Sequence, residues 1–336
     1  MKDGTELSKL GEFGLIDRIA RQISNRSEVV LGIGDDAAAF TPSPGRLSLI
    51  TTDMLVEGIH FDLSFCDPLS LGRKALSVNL SDIAAMGGEP RYFLLSLAIP
   101  PTMTLDFVDS CINGMLQQAE QFGVQLIGGD TCSSPGPFIL TLTVLGEQAP
   151  GMIVRRSGAL PGDKICVTGT VGDSALGLQL LKQGEKRGSL SARHLDPVPR
   201  VLEGRALAEA GIPSSMIDLS DGLLADLGHI LDLSAVGARI AAETLPLSEQ
   251  FRHHFPTVTE EALSLALAGG EDYELLFTVP PEKIPDVFSL LNTLGTPVTV
   301  IGTITEERTV TVIGPHGTEI SLSRKGYDHF SPRDGQ

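Results

Sequence analysis

The sequence predicts a two-domain protein of the α/β (α+β) class. The chain has 336 residues, which exceeds the size at which a single hydrophobic core usually stops growing. Segments with the period of a strand alternate with segments with the period of a helix in both halves, which is the pattern of this class. The composition changes across residues 146–164, where Gly, Pro and Arg are frequent, so we predict domains over 1–148 and 149–336.

The N-terminal half carries the elements of a sheet covered by helices. The clearest is a helix over 104–122, where apolar residues recur every three or four positions. A second helix over 67–86 begins with Asp67 and Pro68, which are favoured at the cap and first turn. It is apolar nearly all round, which predicts that it is buried. The other predicted elements are a helix over 12–24 and strands over 47–52, 92–99, 124–127 and 138–145.

The C-terminal half repeats the alternation of strands and helices. Strands are predicted over 164–168, 216–219, 273–279, 297–303 and 308–314. Helices are predicted from Gly172 and Asp173 onward, and over 201–210, 223–231, 259–268 and 281–294.

Composition excludes several classes of function. The net charge of −17 argues against nucleic acid or an anionic membrane as the main partner, because both carry negative charge. The four cysteines form no CxxC pair, which indicates reduced thiols rather than a zinc site. The N-terminus is too polar for a signal peptide, and no run of about 18 apolar residues is present. We therefore expect a cytoplasmic protein that binds neither nucleic acid nor membrane.

Acidic motifs follow apolar runs or Gly pairs along the whole chain. They are GIGDD at 32–36, TTD at 51–53, NLSD at 79–82, GGD at 128–130, DLSD at 218–221 and GGED at 269–272. Magnesium typically takes one or two carboxylates together with water and substrate phosphate oxygens. Arg46 is the only full cation between residues 32 and 62, so this stretch would attract cations. The motifs together predict several magnesium ions that neutralise a phosphorylated substrate.

Each motif also has other interpretations. Asp before Gly or after a strand commonly forms a turn or a cap, and we expect this role for Asp35 beside a metal-binding Asp36. Residues 32–37 match the G-x-G-x-x-A pattern of a dinucleotide loop. The two carboxylates would repel a pyrophosphate by on the order of 1 kcal/mol each even in water, which argues against that loop. The P-loop pattern and the protein-kinase motifs are absent.

The ordered motifs resemble those of the thiamine-monophosphate kinase family, in the superfamily that includes aminoimidazole ribonucleotide synthetase and selenophosphate synthetase. They extend from GEFGLI at 11–16 to KGYDHF at 325–330. Between these lie GIGDDAA, TTDMLVEGIHF, KALSVNLSDIAAMGGEP, QLIGGDT, RSGALPGD, VTGTVGDSALG, IDLSDGL, DLGHI and GGEDYEL. The resemblance covers nearly the whole chain. One mild departure is Thr51, where the family often has Ser, and the hydroxyl is kept.

The resemblance implies a two-domain synthetase-like fold, with an N-terminal mixed sheet and helices and a C-terminal α/β domain that closes the site. It implies that ATP phosphorylates thiamine monophosphate to thiamine diphosphate by direct in-line transfer, with ADP released and several magnesium ions assisting. It also implies a homodimer through the N-terminal domain, with ATP near that interface. Phosphoryl transfer needs mainly positioning and charge neutralisation from the protein, which suits a chain with many carboxylates.

The resemblance also assigns roles to residues by motif. The metal ligands are Asp36, Thr51, Thr52, Asp53, Asp82, Asp130, Asp218 and Asp221. The ATP contacts are Gly129, Asp130, Arg156 and Ser220. The contacts to thiamine monophosphate are His60, Glu271 and Tyr327. The catalytic centre consists of Asp53, Asp82, Asp130 and Asp218.

Two alternatives stay open at this point. One is a sibling ATP-dependent synthetase of the same superfamily. Selenophosphate synthetase carries a reactive Cys or selenocysteine near its N-terminus, whereas the first cysteine here is Cys66. The maturation-protein branch uses a C-terminal cysteine, whereas this chain ends in SPRDGQ. The other alternative is a non-catalytic binding module stabilised by a metal such as calcium.

Overall fold

The fold is that of a computed structural model, which describes residues 7–23, 26–185, 188–314, 317–321 and 326–327. The chain divides into two compact units. The N-terminal unit comprises residues 1–83 and 88–151, and the C-terminal unit comprises 84–87 and 152–336. No helix in the described part of the chain has the length and apolar character needed to cross a membrane.

The first 151 residues form three helices and six strands within the described ranges. The helices are α1 (Leu7–Ala20), α2 (Pro68–Ala85) and α3 (Leu105–Phe122). The strands are β1 (Val29–Leu31), β2 (Ala39–Phe40), β3 (Leu47–Val56), β4 (Glu89–Ile99), β5 (Gln125–Ser133) and β6 (Ile139–Gln148). A short 3-10 turn, Pro150–Met152, follows β6.

Four of these strands form a mixed sheet in the order β3-β6-β4-β5. The β3–β6 and β6–β4 pairs are antiparallel, and the β4–β5 pair is parallel. One row of paired residues crosses all four strands: Asp53, Leu142, Leu95 and Gly129. Leu142 and Leu95 are buried. Since Thr51 on the same side contacts α2, we call this side the helix-covered face.

The opposite side of the sheet, which we call the open face, carries the next row: Met54, Thr141, Ser96 and Asp130. The β1–β2 hairpin covers part of it, where the Phe40 and Tyr92 rings lie 4.6 Å apart. Toward β3, Ile50 is 67% exposed and Met54 is 56% exposed. The N-terminal unit alone therefore leaves apolar side chains of its sheet in contact with solvent.

Capping residues and apolar periodicity predicted α2 and α3 of this half more accurately than α1. Thr104 caps α3 by accepting the N–H of Phe107 at 3.2 Å. Asp67 caps α2 by accepting the N–H of Ser70 at 2.9 Å, as predicted. The helix predicted over 12–24 instead spans Leu7–Ala20, with a left-handed Gly11 inside it. The last residue of that prediction, residue 24, lies outside the described residues.

Three strand predictions in this half ended too early. The strand predicted over 138–145 continues to Gln148 as β6, and the other two carry predicted site residues. The strand predicted over 47–52 continues to Val56, because its pairing with β6 runs through Val56 and Ile139. The strand predicted over 124–127 continues to Ser133 along β4, so GGD lies inside β5 rather than in a turn after it. These extensions depend on partners distant in sequence.

The C-terminal part contains helices α4 (Asp173–Lys182), α5 (Ser189–Leu195), α6 (Val201–Glu209), α7 (Leu223–Ser234), α8 (Glu249–His254), α9 (Glu260–Ala268) and α10 (Ile284–Thr293). Its strands are β7 (Lys164–Thr168), β8 (Ser215–Asp218), β9 (Gly237–Ala241), β10 (Leu275–Val279), β11 (Val298–Thr305), β12 (Val310–Ile313) and β13 (Glu319–Ile320). Two 3-10 turns, Ala242–Thr244 and Pro281–Lys283, lie before α8 and α10.

The strands of this unit form one sheet in the order β13-β12-β9-β11-β7-β10-β8. Its pairs are antiparallel except for the parallel pair β12–β9. Helix α7 contributes Leu227 and Ile230 to the core against Ile217 and Leu276 of the sheet. The predicted helices and strands of this half are present, whereas α5, α8, β9 and β13 were not predicted.

Candidate functional site

Helix α2 meets strand β3 through side chains of two acidic motifs. Thr51 donates its hydroxyl hydrogen to Asp82 Oδ2 at 2.5 Å. The N–H of Asp53 donates to Asn79 Oδ1 at 3.1 Å, and Asn79 in turn donates to the carbonyl of Ala75. β3 is an edge strand, so no neighbouring strand on its outer side accepts the N–H of Asp53, and Asn79 of α2 accepts it instead. Three predicted metal ligands, Thr51, Asp53 and Asp82, therefore share one corner of the N-terminal unit.

The neighbouring predicted residues point away from that corner. Thr52 lies on the open face, where it donates to the carbonyl of Leu142 at 3.0 Å and accepts from Thr143 at 3.1 Å. Asp130 also lies on the open face, at the opposite edge of the sheet from β3. Side chains alternate along a strand, so consecutive residues of TTD and GGD cannot share a face. The N-terminal unit thus separates its predicted ligands into two groups.

Gly129 marks a close approach of two strands. A Cβ added at Gly129 would lie 1.9 Å from the carbonyl oxygen of Leu95, so no other residue fits there without movement of the backbone. Gly129 occupies the helix-covered face and directs the next residue, Asp130, to the open face.

The GIGDD loop connects β1 and β2 and is exposed at both carboxylates. Asp35 Oδ1 accepts the N–H of Asp36 at 2.9 Å, which is the turn role expected for Asp35. A Cβ added at Gly128 would lie 4.0 Å from the Cβ of Ala38. The hairpin that carries Asp36 therefore passes over β5 at Gly128, two residues before Asp130.

His60 lies in the turn that follows β3. Its Nδ1 accepts the N–H of Val56 at 3.0 Å, which assigns the hydrogen of the neutral ring to Nε2. The side chain is half-buried. His60 is therefore oriented by Val56 at the end of β3, three residues after Asp53 of the TTD motif.

In the C-terminal unit, a buried carboxylate organises the DLSD motif. Asp226 Oδ2 accepts the backbone N–H groups of Ser220, Asp221 and Gly222 at 3.0, 3.1 and 3.1 Å. Asp218 ends β8 and is 3% exposed. Asp226 was not predicted as a functional residue, although its motif, DLGHI, was part of the resemblance.

The same turn concentrates negative charge. Burial, followed by the charges of Asp218 and Asp221, raises the pKa of Asp226 to about 8. Among the residues that the structure describes, no three carboxylate, imidazole or thiol groups meet as a ready-made cation site. Magnesium uses one or two carboxylates plus water and phosphate, so the hard oxygen donors of this turn, and those at Thr51 and Asp82, suit it chemically.

Two further segments join the DLSD turn through backbone hydrogen bonds. The N–H of Glu271 donates to the carbonyl of Ser220 at 2.8 Å, and the N–H of Tyr327 donates to the carbonyl of Asp221 at 2.9 Å. The N–H of Tyr273 donates to the carbonyl of Leu219 at 2.9 Å. The predicted residues Ser220, Asp221, Glu271 and Tyr327 are thereby brought to one place.

The segment Gly270–Glu274 is held in an uncommon backbone conformation. Glu271 and Tyr273 have positive φ values of 66° and 51°, which non-glycine residues adopt at a cost of about 1 kcal/mol or more. Asp272 accepts the N–H of Gly172 at 2.8 Å at the start of α4. Burial raises the pKa of Asp272 to about 8, although its backbone hydrogen bonds act in the opposite direction.

Glu274 anchors the end of this segment in a buried ion cluster. It is fully buried and accepts hydrogen bonds from Arg193 at 2.5 Å, from Arg200 at 2.6 Å twice, and from Thr168 at 2.7 Å. Burial favours the neutral acid, but the hydrogen bonds and charge of Arg200, and then the charge of Arg193, hold the pKa of Glu274 below its ordinary value. Sequence reasoning missed these arginines because no local pattern relates them to GGEDYEL.

Arg156, a predicted ATP contact, is exposed in the segment that precedes β7. The adjacent carbonyl of Arg155 accepts the N–H of Met216 at 3.0 Å. Arg156 therefore lies beside the strand that ends at Asp218.

Two protein-family models match the chain. The N-terminal domain model of AIR synthase related protein matches residues 34–148, and the C-terminal domain model matches residues 161–327. Together they cover both halves of the chain.

Individual relatives extend the match to nearly full length. The thiamine-monophosphate kinase of Escherichia coli O157:H7 is 44% identical over 328 residues, which cover 96% of this chain and 98% of the relative. The crystal structure of thiamine-monophosphate kinase from Stenotrophomonas maltophilia K279a is 38% identical, with a TM-score of 0.83 over 92% of this chain and 98% of that one. AaThiL complexed with AMPPCP and TMP is 34% identical, with a TM-score of 0.76 over 98% and 100%. The chain belongs to the thiamine-monophosphate kinase family.

Proposed function

We propose that this protein transfers the γ-phosphoryl group of ATP to thiamine monophosphate, which yields thiamine diphosphate and ADP by direct in-line displacement. The observation that carries the proposal is near-full-length identity of 34–44% to thiamine-monophosphate kinases, one of them solved with AMPPCP and TMP. Transfer between two phosphates requires alignment and charge neutralisation more than a protein nucleophile.

The C-terminal unit supports this assignment through the place where Ser220, Asp221, Glu271 and Tyr327 meet. Backbone hydrogen bonds fix all four residues relative to one another. We assign Glu271 and Tyr327 to thiamine monophosphate, together with His60 of the N-terminal unit. Ser220 and Arg156 contact ATP, as do Gly129 and Asp130.

We further propose that several magnesium ions are held by eight residues: Asp36, Thr51, Thr52, Asp53, Asp82, Asp130, Asp218 and Asp221. Of these, Asp53, Asp82, Asp130 and Asp218 form the catalytic centre. When bound, magnesium neutralises phosphate charge and orients the transferring group. The oxygen-only donor set and the contact between Thr51 and Asp82 support this choice of metal.

The proposed assembly is a homodimer formed through the open face of the N-terminal sheet. Exposed apolar side chains there, including Ile50 and Met54, support it, because such surfaces on a folded unit mark interaction sites. The proposed domain limits remain 1–148 and 149–336, and the proposed location is the cytoplasm.

The function is tested by measuring ADP release by the purified protein with ATP and magnesium. We expect ADP release only when thiamine monophosphate is added, with thiamine diphosphate identified by mass spectrometry. Thiamine, which lacks the acceptor phosphate, should not replace it. ATP consumption that is independent of thiamine monophosphate or of magnesium would contradict the proposal.

A matched pair of variants tests the site. Asp221→Asn should lower the rate by orders of magnitude, because it removes charge from the proposed metal turn. Asp232→Asn removes the same charge from an exposed position on α7 and should leave the rate within about twofold of wild type. Equal rates for the two variants would remove Asp221 from the site.

A further inference from the structure

A buried histidine on a short helix contacts the side chain of Glu271. His194 of α5 is 3% exposed. Its Nδ1 lies 3.2 Å from Glu271 Oε2 and 3.1 Å from Ser174 Oγ at the start of α4. The three side chains come from three separate parts of the C-terminal unit and converge on one ring nitrogen.

The chemistry of these groups determines where the hydrogen lies. An ionised carboxylate only accepts hydrogen bonds, whereas a hydroxyl both donates and accepts. Contact between Nδ1 and Glu271 is therefore a hydrogen bond only when Nδ1 carries the hydrogen. Ser174 then serves as a second acceptor and limits rotation of the ring. Ser174 is itself fully buried, and its N–H donates to Asp272 at 3.3 Å.

The contact with His194 limits the orientations of the Glu271 side chain. Its side chain is 27% exposed. Its backbone is fixed in the left-handed region by the hydrogen bond to Ser220. A side chain that is already restricted in the free protein loses less rotamer entropy when it binds substrate, which favours binding. Helix α5 thus contacts the segment Gly270–Glu274 at two side chains: Arg193 contacts Glu274, and His194 contacts Glu271.

We propose that His194 is a positioning residue, whose Nδ1–H holds the Glu271 carboxylate in the orientation that binds thiamine monophosphate. The inference rests on the proposed function, since it assigns a partner to a proposed substrate contact. His194 acts through Glu271 and does not itself touch substrate.

Two conservative variants distinguish this role from simple packing. The amide nitrogen of Asn occupies the place of His Nδ1, whereas that of Gln occupies the place of Nε2. His194→Gln should raise the KM for thiamine monophosphate about tenfold, with kcat and the KM for ATP within about twofold of wild type. His194→Asn should restore most of the lost affinity. Equal KM values for the two variants, or an equal rise in both KM values of His194→Gln, would overturn the proposal.

A double-mutant cycle tests whether His194 acts through Glu271. Glu271→Ala should make the further change His194→Gln nearly without effect on the KM for thiamine monophosphate. Additive effects would assign His194 a separate role and overturn the proposal. Melting temperatures of all variants identify any that fail to fold. If His194→Gln fails to fold, His194→Asn can still be compared with wild type, because it keeps the hydrogen bond to Glu271.

A measurement without substrate separates this inference from the proposed function. Nitrogen-15 NMR of the wild-type protein reports which ring nitrogen of His194 carries hydrogen. We expect a protonated Nδ1, and its loss in Glu271→Ala. A bare Nδ1 in wild type would overturn the inference whatever the activity. Absence of thiamine-monophosphate-dependent ADP release by wild type would instead refute the proposed function.

Discussion

Replacing Glu274 by Gln tests the ion cluster that anchors the Gly270–Glu274 segment. The change keeps the size and shape of the side chain and removes its charge. Glu274 accepts hydrogen bonds from Arg193, Arg200 and Thr168. The amide of Gln has one acceptor oxygen and would turn N–H donors toward one of the arginines.

The structure sets the expected size of the effect. Removing one partner of a buried ion pair typically costs about 3–5 kcal/mol, because the remaining charge is left buried. Glu274 is fully buried, and the side chains of Arg200 and Arg193 are 13% and 28% exposed. We therefore expect a loss of about 3–5 kcal/mol in the unfolding free energy. For a unit of this size, that corresponds to a melting temperature lower by roughly 10 °C.

The pKa of Glu274 gives the pH dependence of this effect. Burial raises it, but hydrogen bonds and charge from Arg200, followed by the charge of Arg193, lower it below the ordinary value of 4.5. The charge therefore stabilises the fold above the unfolded-state pKa, and this stability is lost as pH falls through the folded-state pKa. The difference between wild type and Glu274→Gln should be full at neutral pH and shrink in acid.

Urea unfolding followed by circular dichroism measures the effect, with Glu209→Gln as the control. Glu209 pairs with Arg205 at 2.8 Å on the surface of α6, with side chains 46% and 37% exposed. Such exposed pairs contribute about 0.3–0.5 kcal/mol. If Glu274→Gln destabilised the protein no more than Glu209→Gln, the cluster would not anchor the segment.

Three further predictions address the other features. Asp82→Asn should lower turnover by orders of magnitude and leave the melting temperature without metal unchanged or higher, because Asn still accepts from Thr51; unchanged turnover would remove Asp82 from the metal site. The folded-state pKa of Asp272, about 8, exceeds its ordinary value of 3.8, so this group contributes stability that is full below pH 3.8 and is lost as pH rises to about 8. In Asp272→Asn the unfolding free energy, measured by urea unfolding, should therefore change less with pH over that range than in wild type. Ile50→Glu should shift sedimentation from dimer to monomer, whereas Leu233→Glu, at an equally exposed apolar site in α7, should not; a dimer in both variants would place the interface elsewhere.

Local sequence signals predicted the helices better than the strand ends. Helix α3 has a polar and an apolar side and a Thr104 cap, so its period and start are visible in neighbouring residues. The end of β5 depends on pairing with β4, more than 30 residues earlier in the chain. The motif GGD therefore looked like a turn although Asp130 lies within a strand.

The sequence likewise predicted only part of the candidate site. Motifs identified Asp82 and Thr51, and the structure brings them into contact. The residues that orient the site were not predictable, because His194 and Arg193 lie on a helix of seven residues that is too short to show a clear period. Their importance comes from contacts with residues about 80 positions away.

The structure of the segment Gly270–Glu274 limits the substitutions that the protein can tolerate there. A Cβ at Gly270 would lie 2.4 Å from the carbonyl oxygen of Ser220, and positions 271 and 273 require a left-handed backbone. The alternate positions, Asp272 and Glu274, are buried acids with defined partners. Five consecutive positions are thus restricted in turn by space, backbone shape and buried charge. A change of any one residue meets a different obstacle from a change of its neighbour, so a second substitution nearby cannot easily compensate for the first.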